Sequence, residues 1–286
     1  MDGLQEEPCL EVLGVWRNQA NSSQGHEMLN SRKLRKLAPV LLKPSIITGR
    51  SEYLFIISHM RSRSTVLSHV LGSNPGVCGY SELHRSYRNK TDFLKMRVNL
   101  YHDLKCDFSN KYILDKILHN RLEISPEMLE AMKPRVIFLL REPESTIKSI
   151  IRMRDRVGQK NKQSDAGWHD KARSAAEYYC SRLVELSRYA DALNGNYFFL
   201  ESDDLVDKTD QILNELTDWL KLKQPLANNY EMFENTGKPD YGDPSEAIKT
   251  GAITRTESNS KIEIPGDIRH EVNLAYEKCR LGLANN

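Results

Sequence analysis

The feature that most constrains this chain is the run Tyr53-Leu-Phe-Ile-Ile-Ser58. An unbroken apolar run of this length leaves no face for water. It predicts a strand buried on both sides, the kind found in parallel sheets. The next residues are equally restrictive: His59 to Arg63 is polar, and a helical pattern opens at Ser64. Strand, polar turn and helix together form the first half of a β-α unit. Segments 112–114, 135–140 and 197–200 predict three further strands. Helix signals fall between them. Ser125-Pro126-Glu127 offers a cap, a proline at the first position and an acid in the first turn. Another helix is expected from about Glu144. Ala172, Ala176, Tyr179, Leu183, Leu186 and Ala190 step by three and four. Ile212, Leu213, Leu216, Trp219 and Leu220 mark a last helix. The alternation predicts an α/β chain with a central parallel sheet flanked by helices. Ligands of such sheets bind at the carboxyl ends of the strands.

Residues 1–50 are expected to be an N-terminal extension and 51–286 the domain proper. Residues 225–265 are rich in glycine and proline and show no strong period, which predicts a lid or binding loop. The net charge of +2 gives no basis for nucleic-acid binding. The longest strongly apolar run, Tyr53–Ile57, is too short to span a bilayer, and the acidic start of the chain is not a secretory signal. Cys9, Cys78, Cys106, Cys180 and Cys279 are scattered and odd in number, with no Cys-x-x-Cys pair. That predicts reduced thiols in a cytoplasmic protein, with neither a disulfide framework nor a metal site. The sequence carries no signal for an oligomeric state.

Two segments at predicted strand ends carry chemistry. The first is Arg61-Ser62-Arg63-Ser64-Thr65. Backbone N–H groups at a helix start bind anions, hydroxyls add donors, and guanidinium forks match phosphate oxygens. A Walker loop would need glycines and a lysine that are absent here. The second is Arg141-Glu142-Pro143, with Ser149 eight residues beyond the arginine.

Together these segments resemble the sulfotransferases that use 3′-phosphoadenosine 5′-phosphosulfate (PAPS). In that family a strand–loop–helix holds the 5′-phosphosulfate, and a later arginine and serine hold the 3′-phosphate. Arg63 stands where the family has glycine, so either the backbone approach differs or a second guanidinium is supplied. Phe198-Phe-Leu-Glu201-Ser-Asp-Asp-Leu205 and the helix ending at Trp219 extend the likeness over residues 53–221. The resemblance implies a P-loop-like sulfotransferase fold, PAPS as donor and PAP as product. It places Arg61, Ser62, Arg63, Ser64, Thr65, Arg141 and Ser149 around the nucleotide. A late loop with Lys249, Gly251 and Arg255 is similar to one that closes over the 3′-phosphate in some members.

The chemistry needs a stabiliser for the leaving phosphate and a base for the acceptor. Arg61, with Lys116 at the end of the second strand, fits the first role. Glu82 is the favoured base, because tyrosylprotein and carbohydrate sulfotransferases have a glutamate in the similar position. His84 is the second candidate and His119 a third, while His59 is expected to shape the loop. No metal is implied if cations neutralise the leaving group. The acceptor is expected to be a small molecule, sugar or natural product with a hydroxyl or amine. The competing readings are a P-loop kinase and a non-catalytic nucleotide-binding module.

Overall fold

The computed structural model describes residues 46, 49–161, 168–238, 246–255 and 262–285. The expected N-terminal extension, residues 1–50, lies outside them apart from residues 46, 49 and 50. Among the described residues five parallel strands form one sheet in the order β2-β3-β1-β4-β5. They are β1 (Glu52–Ser58), β2 (Val77–Cys78), β3 (Tyr112–Ile117), β4 (Arg135–Leu140) and β5 (Phe198–Glu201). The helices are α1 (Ser64–Gly72), α2 (Lys90–Leu104), α3 (Pro126–Met132), α4 (Pro143–Asn161), α5 (Trp168–Leu193), α6 (Asp204–Asp207), α7 (Thr209–Trp219) and α8 (Gly266–Ala284).

The side-chain alternation of a strand splits the core in two. Phe55, Ile57, Val136, Phe138 and Leu140 face a large cluster under α2, α4, α5 and α8. Leu54, Ile56, Leu114, Ile137 and Leu139 face a second one under α1 and α7. The chain runs from β1 out to β2 and β3 on one side, then crosses to β4 and β5 on the other. The carboxyl ends of β3, β1 and β4 therefore converge where the winding reverses, the usual place for a ligand crevice in an open α/β sheet.

The predicted strands and the helices at 64, 125, 144, 171 and 212 are present. Ser125 caps α3 by accepting from the Met128 N–H. Four of these elements were not anticipated: β2, α2, α6 and α8, so the helix at 209–219 is not the last. The glycine- and proline-rich stretch is docked where described. Leu226, Tyr230, Ile248 and Ile253 are buried in the second cluster, around a short 3₁₀ turn at Glu246–Thr250.

The cysteine reading is corrected. Cys78 and Cys106 form a disulfide between β2 and the segment after α2, with Cα atoms 6.3 Å apart. The two are 28 residues apart in sequence, so nothing but the fold brings them together. The thiol argument for a reducing compartment falls with it. Cys180 and Cys279 are free. Among the described residues no helix is long and apolar enough to cross a membrane.

Candidate active site at the strand ends

The segment after β1 is held in an unusual backbone conformation. Arg61 has φ 65° and Arg63 φ 67°, both left-handed. Such a conformation costs a non-glycine residue about 1–3 kcal/mol and persists where its surroundings enforce it. Alternating hands turn successive N–H groups toward one concavity, the geometry of an anion nest. Arg63 thus adopts the backbone that glycine would, and its side chain turns aside. Its Nη1 donates to the Ser202 carbonyl (3.0 Å), to Ser202 Oγ (2.9 Å) and to Asp203 (2.5 Å). The arginine ties the loop to the end of β5.

The two anion motifs meet. Arg61 Nε donates to Ser149 Oγ at 2.8 Å, and Arg141 Nη1 donates to the Arg61 carbonyl at 3.0 Å. Arg141 N–H donates to His59 Nε2 at 3.0 Å, while His59 Nδ1 pairs with the Met60 carbonyl at 2.9 Å. His59 is fully buried, and burial pulls its pKa down to about 4. It is neutral and holds the ends of β1 and β4 together. Arg141 is drawn down to about 10, first by burial and then by the neighbouring charges of Arg63 and Arg61. Three guanidiniums thus crowd one place. Arg141 Nε and Ser62 Oγ are buried there without a hydrogen-bond partner among the described residues. Leaving such donors unpaired costs about 1–3 kcal/mol each, more for a charged group. Ser64 and Thr65 form the first turn of α1 directly behind them.

The other half of the site lies at the end of β3 and in the loop after β2. Glu82 is 7% exposed. Its Oε1 is 3.3 Å from His84 Nδ1 and 3.7 Å from His119 Nε2. Burial pushes the Glu82 pKa up, but His84, Lys116 and His119 more than offset this and hold it below the ordinary value. His119 is pulled down, mainly by burial. Lys116 is completely buried, and its charge also acts on His69 in α1. The three base candidates, Glu82, His84 and His119, are therefore one group, with Lys116 within electrostatic reach of Glu82. Their donor atoms lie within 4.8 Å of one another, close enough that they could also hold a divalent metal. The sequence showed no such cluster because it is assembled from separate strand ends.

Asp115 was not anticipated. It is buried, accepts from Leu83 N–H (2.9 Å) and Lys116 N–H (2.7 Å), and takes the Tyr87 hydroxyl at 2.5 Å. Burial raises its pKa to about 7. It fixes the peptide next to Glu82. An acid inside a strand of apolar neighbours is a signal that could have been read. Helix α5 was expected only as packing, yet Tyr178, Tyr179 and Arg182 all bond to strand ends.

The late loop lies beside α1. His69 Nε2 pairs with Thr236 Oγ1 at 2.9 Å, and Tyr230 N–H donates to the Gly251 carbonyl at 2.8 Å. Gly251 has φ 70°, which glycine adopts without strain. Lys249 packs its side chain against Gly237, and Arg255 pairs with Asp207 in α6.

No protein-family model matches the chain, and none of the curated proteins does. Solved structures do match. The sulfotransferase domain from the curacin biosynthetic pathway is 18% identical, with a TM-score of 0.53 over 80% of this chain and 99% of that one. The sulfotransferase domain of the Synechococcus PCC 7002 olefin synthase is 16% identical, with a TM-score of 0.52 over 80% of this chain and 96% of that one. At these identities the likeness is one of fold: the chain has a sulfotransferase-type α/β fold.

Proposed function

We propose that the chain is a sulfotransferase that moves a sulfuryl group from PAPS to a hydroxyl, or an amine, of a small-molecule, sugar or natural-product acceptor. One observation carries the reading. Two separate motifs converge at the strand ends, where two buried donors, Arg141 Nε and Ser62 Oγ, have no hydrogen-bond partner among the described residues. A ligand with two anionic groups would satisfy them.

In this reading Arg141 and Ser149 hold the 3′-phosphate, with the loop Arg61–Thr65 around the 5′-phosphosulfate. Lys249 and Gly251 close the nucleotide site from the late loop. Arg63 contributes by holding the loop through Ser202 and Asp203. Transfer is in line. The acceptor oxygen bonds to sulfur as the bond from sulfur to the phosphate oxygen breaks, and PAP leaves with the electron pair. Arg61 and Lys116 neutralise the charge that develops on that oxygen. The acceptor proton passes to Glu82. Its carboxylate is ionised at neutral pH because His84, Lys116 and His119 stabilise the charge. Cations and hydroxyls supply the neutralisation, so no metal is assigned to the site. Incubation with radiolabelled PAPS and a panel of hydroxylated acceptors tests the proposal. Label transfer supports it. Turnover of ATP in its place, or PAP binding with no transfer to any acceptor, refutes it.

A further inference from the structure

We propose that Tyr178 and Arg182, one turn apart on α5, are positioning residues that set the spacing between the nucleotide loop and the segment after β3 that carries His119. The proposal rests on the sulfotransferase reading for its catalytic consequence, while its structural core stands on geometry alone.

Pairing between β1 and β3 ends at Ile57 and Ile117. Beyond that pair the two chains separate, one toward Met60 and Arg61, the other toward Leu118 and His119. The side chains of α5 take over where the ladder stops. Arg182 Nε donates to the Ser58 carbonyl at 2.8 Å and Nη2 to the Ile117 carbonyl at 2.6 Å. Farther out, the Tyr178 hydroxyl accepts from Met60 N–H at 2.8 Å and donates to the Leu118 carbonyl at 2.7 Å. The hydroxyl of Tyr179 donates to the Arg141 carbonyl at 2.7 Å and so reaches β4. One turn of a helix grips the ends of three strands.

Arg182 is 1% exposed, and both acceptors of its fork are backbone carbonyls. Burying a guanidinium is costly, and apolar residues often fill the same volume at no loss of stability. A fork that spans two strand ends does what an apolar residue cannot. Tyr178 lies within electrostatic reach of Arg182, Glu82 and Arg154, so its environment includes the candidate base. The residues that Tyr178 holds are the immediate neighbours of Arg61 and His119. A displacement of about 1 Å between reacting groups costs on the order of 100-fold in rate.

Tyr178→Phe keeps the ring and removes the hydroxyl. Hydrogen exchange followed by mass spectrometry should then show peptides covering 58–63 and 117–121 exchanging several-fold faster together, with the sheet peptides unchanged. The kcat should fall roughly 10–100-fold while the PAP dissociation constant stays within about threefold. In a Glu82→Gln background the same change should cost less than about threefold, since the held segment acts through His119, 3.7 Å from the Glu82 carboxylate that takes the proton. Arg182→Lys, which keeps the charge and loses the fork, should give the same division between kcat and PAP binding. The proposal is overturned if exchange rises in one segment only or in neither. Unchanged kcat, or an equal loss in both backgrounds, overturns it as well. Coupled exchange in a protein that transfers no sulfuryl group would support the staple and sink the sulfotransferase reading instead.

Discussion

Arg141→Ala is the sharpest probe of the nucleotide site, measured as the shift in melting temperature caused by PAP and by ADP. Arg141 sits with Nη1 on the Arg61 carbonyl and Nε buried without a partner among the described residues. A 3′-phosphate would give it a charge-assisted contact worth about 1.5–3 kcal/mol, or roughly 10–150-fold in affinity. At 100 times its dissociation constant, PAP stabilises the wild type by about 2.7 kcal/mol. In a domain of this size that raises the melting temperature by about 5–11 °C. At the same PAP concentration the variant keeps about 0.3–1.4 kcal/mol, a shift of about 1–6 °C. ADP has no 3′-phosphate, so its shift should be small in the wild type and change little in the variant. Each protein is compared with its own ligand-free form, which removes the stability change due to the substitution itself. Equal stabilisation of the wild type by PAP and ADP, or an undiminished PAP shift in Arg141→Ala, would refute the assignment.

The remaining expectations concern the base, the metal and the disulfide. Glu82→Gln should lower the single-turnover rate by roughly 10²–10⁴ with PAP affinity nearly unchanged, and His84→Asn should be milder. If the glutamine variant turns over while His84→Asn is inactive, the base is the histidine. A base works deprotonated, so the rate is lost as pH falls through its pKa. With Glu82 held below 4.5, the profile should stay flat down to about pH 5.5, whereas an acid limb near 6 would move the role to an imidazole. Activity should survive EDTA, and an absolute metal requirement would reassign Glu82, His84 and His119. Alkylation under denaturing conditions should label two more cysteines after reduction than before. The 28-residue separation of Cys78 and Cys106 makes the bridge worth about 3–4 kcal/mol in denaturant unfolding. Equal labelling with and without reductant would remove the disulfide.

The sequence by itself determined four of the five described strands and marked the candidate anion-binding residues at their ends, because both depend on local pattern. A buried parallel strand must be apolar throughout, so β1 and β4 are visible as runs, and Arg61 and Arg141 are visible as the charges at their ends. The stripes of α5 and α7 follow from helical period. Where pattern was weak, elements were missed. Strand β2 has two residues, too few for a period. The inward stripe of α2 is Phe93, Met96, Arg97 and Leu100, and the buried arginine breaks its apolar signature. Helix α8 does carry a stripe, Ile268, Val272, Tyr276, Cys279 and Leu283, but it follows a segment without period and has no side-chain cap to announce it. Tertiary structure alone decided which groups face one another. It paired Cys78 with Cys106, turned Arg63 away toward Asp203, and set Glu82 between two histidines. It also made Arg182 a clamp on two strand ends. Each of these joins residues distant in the chain, and their energies depend on separations of a few ångströms that only packing fixes.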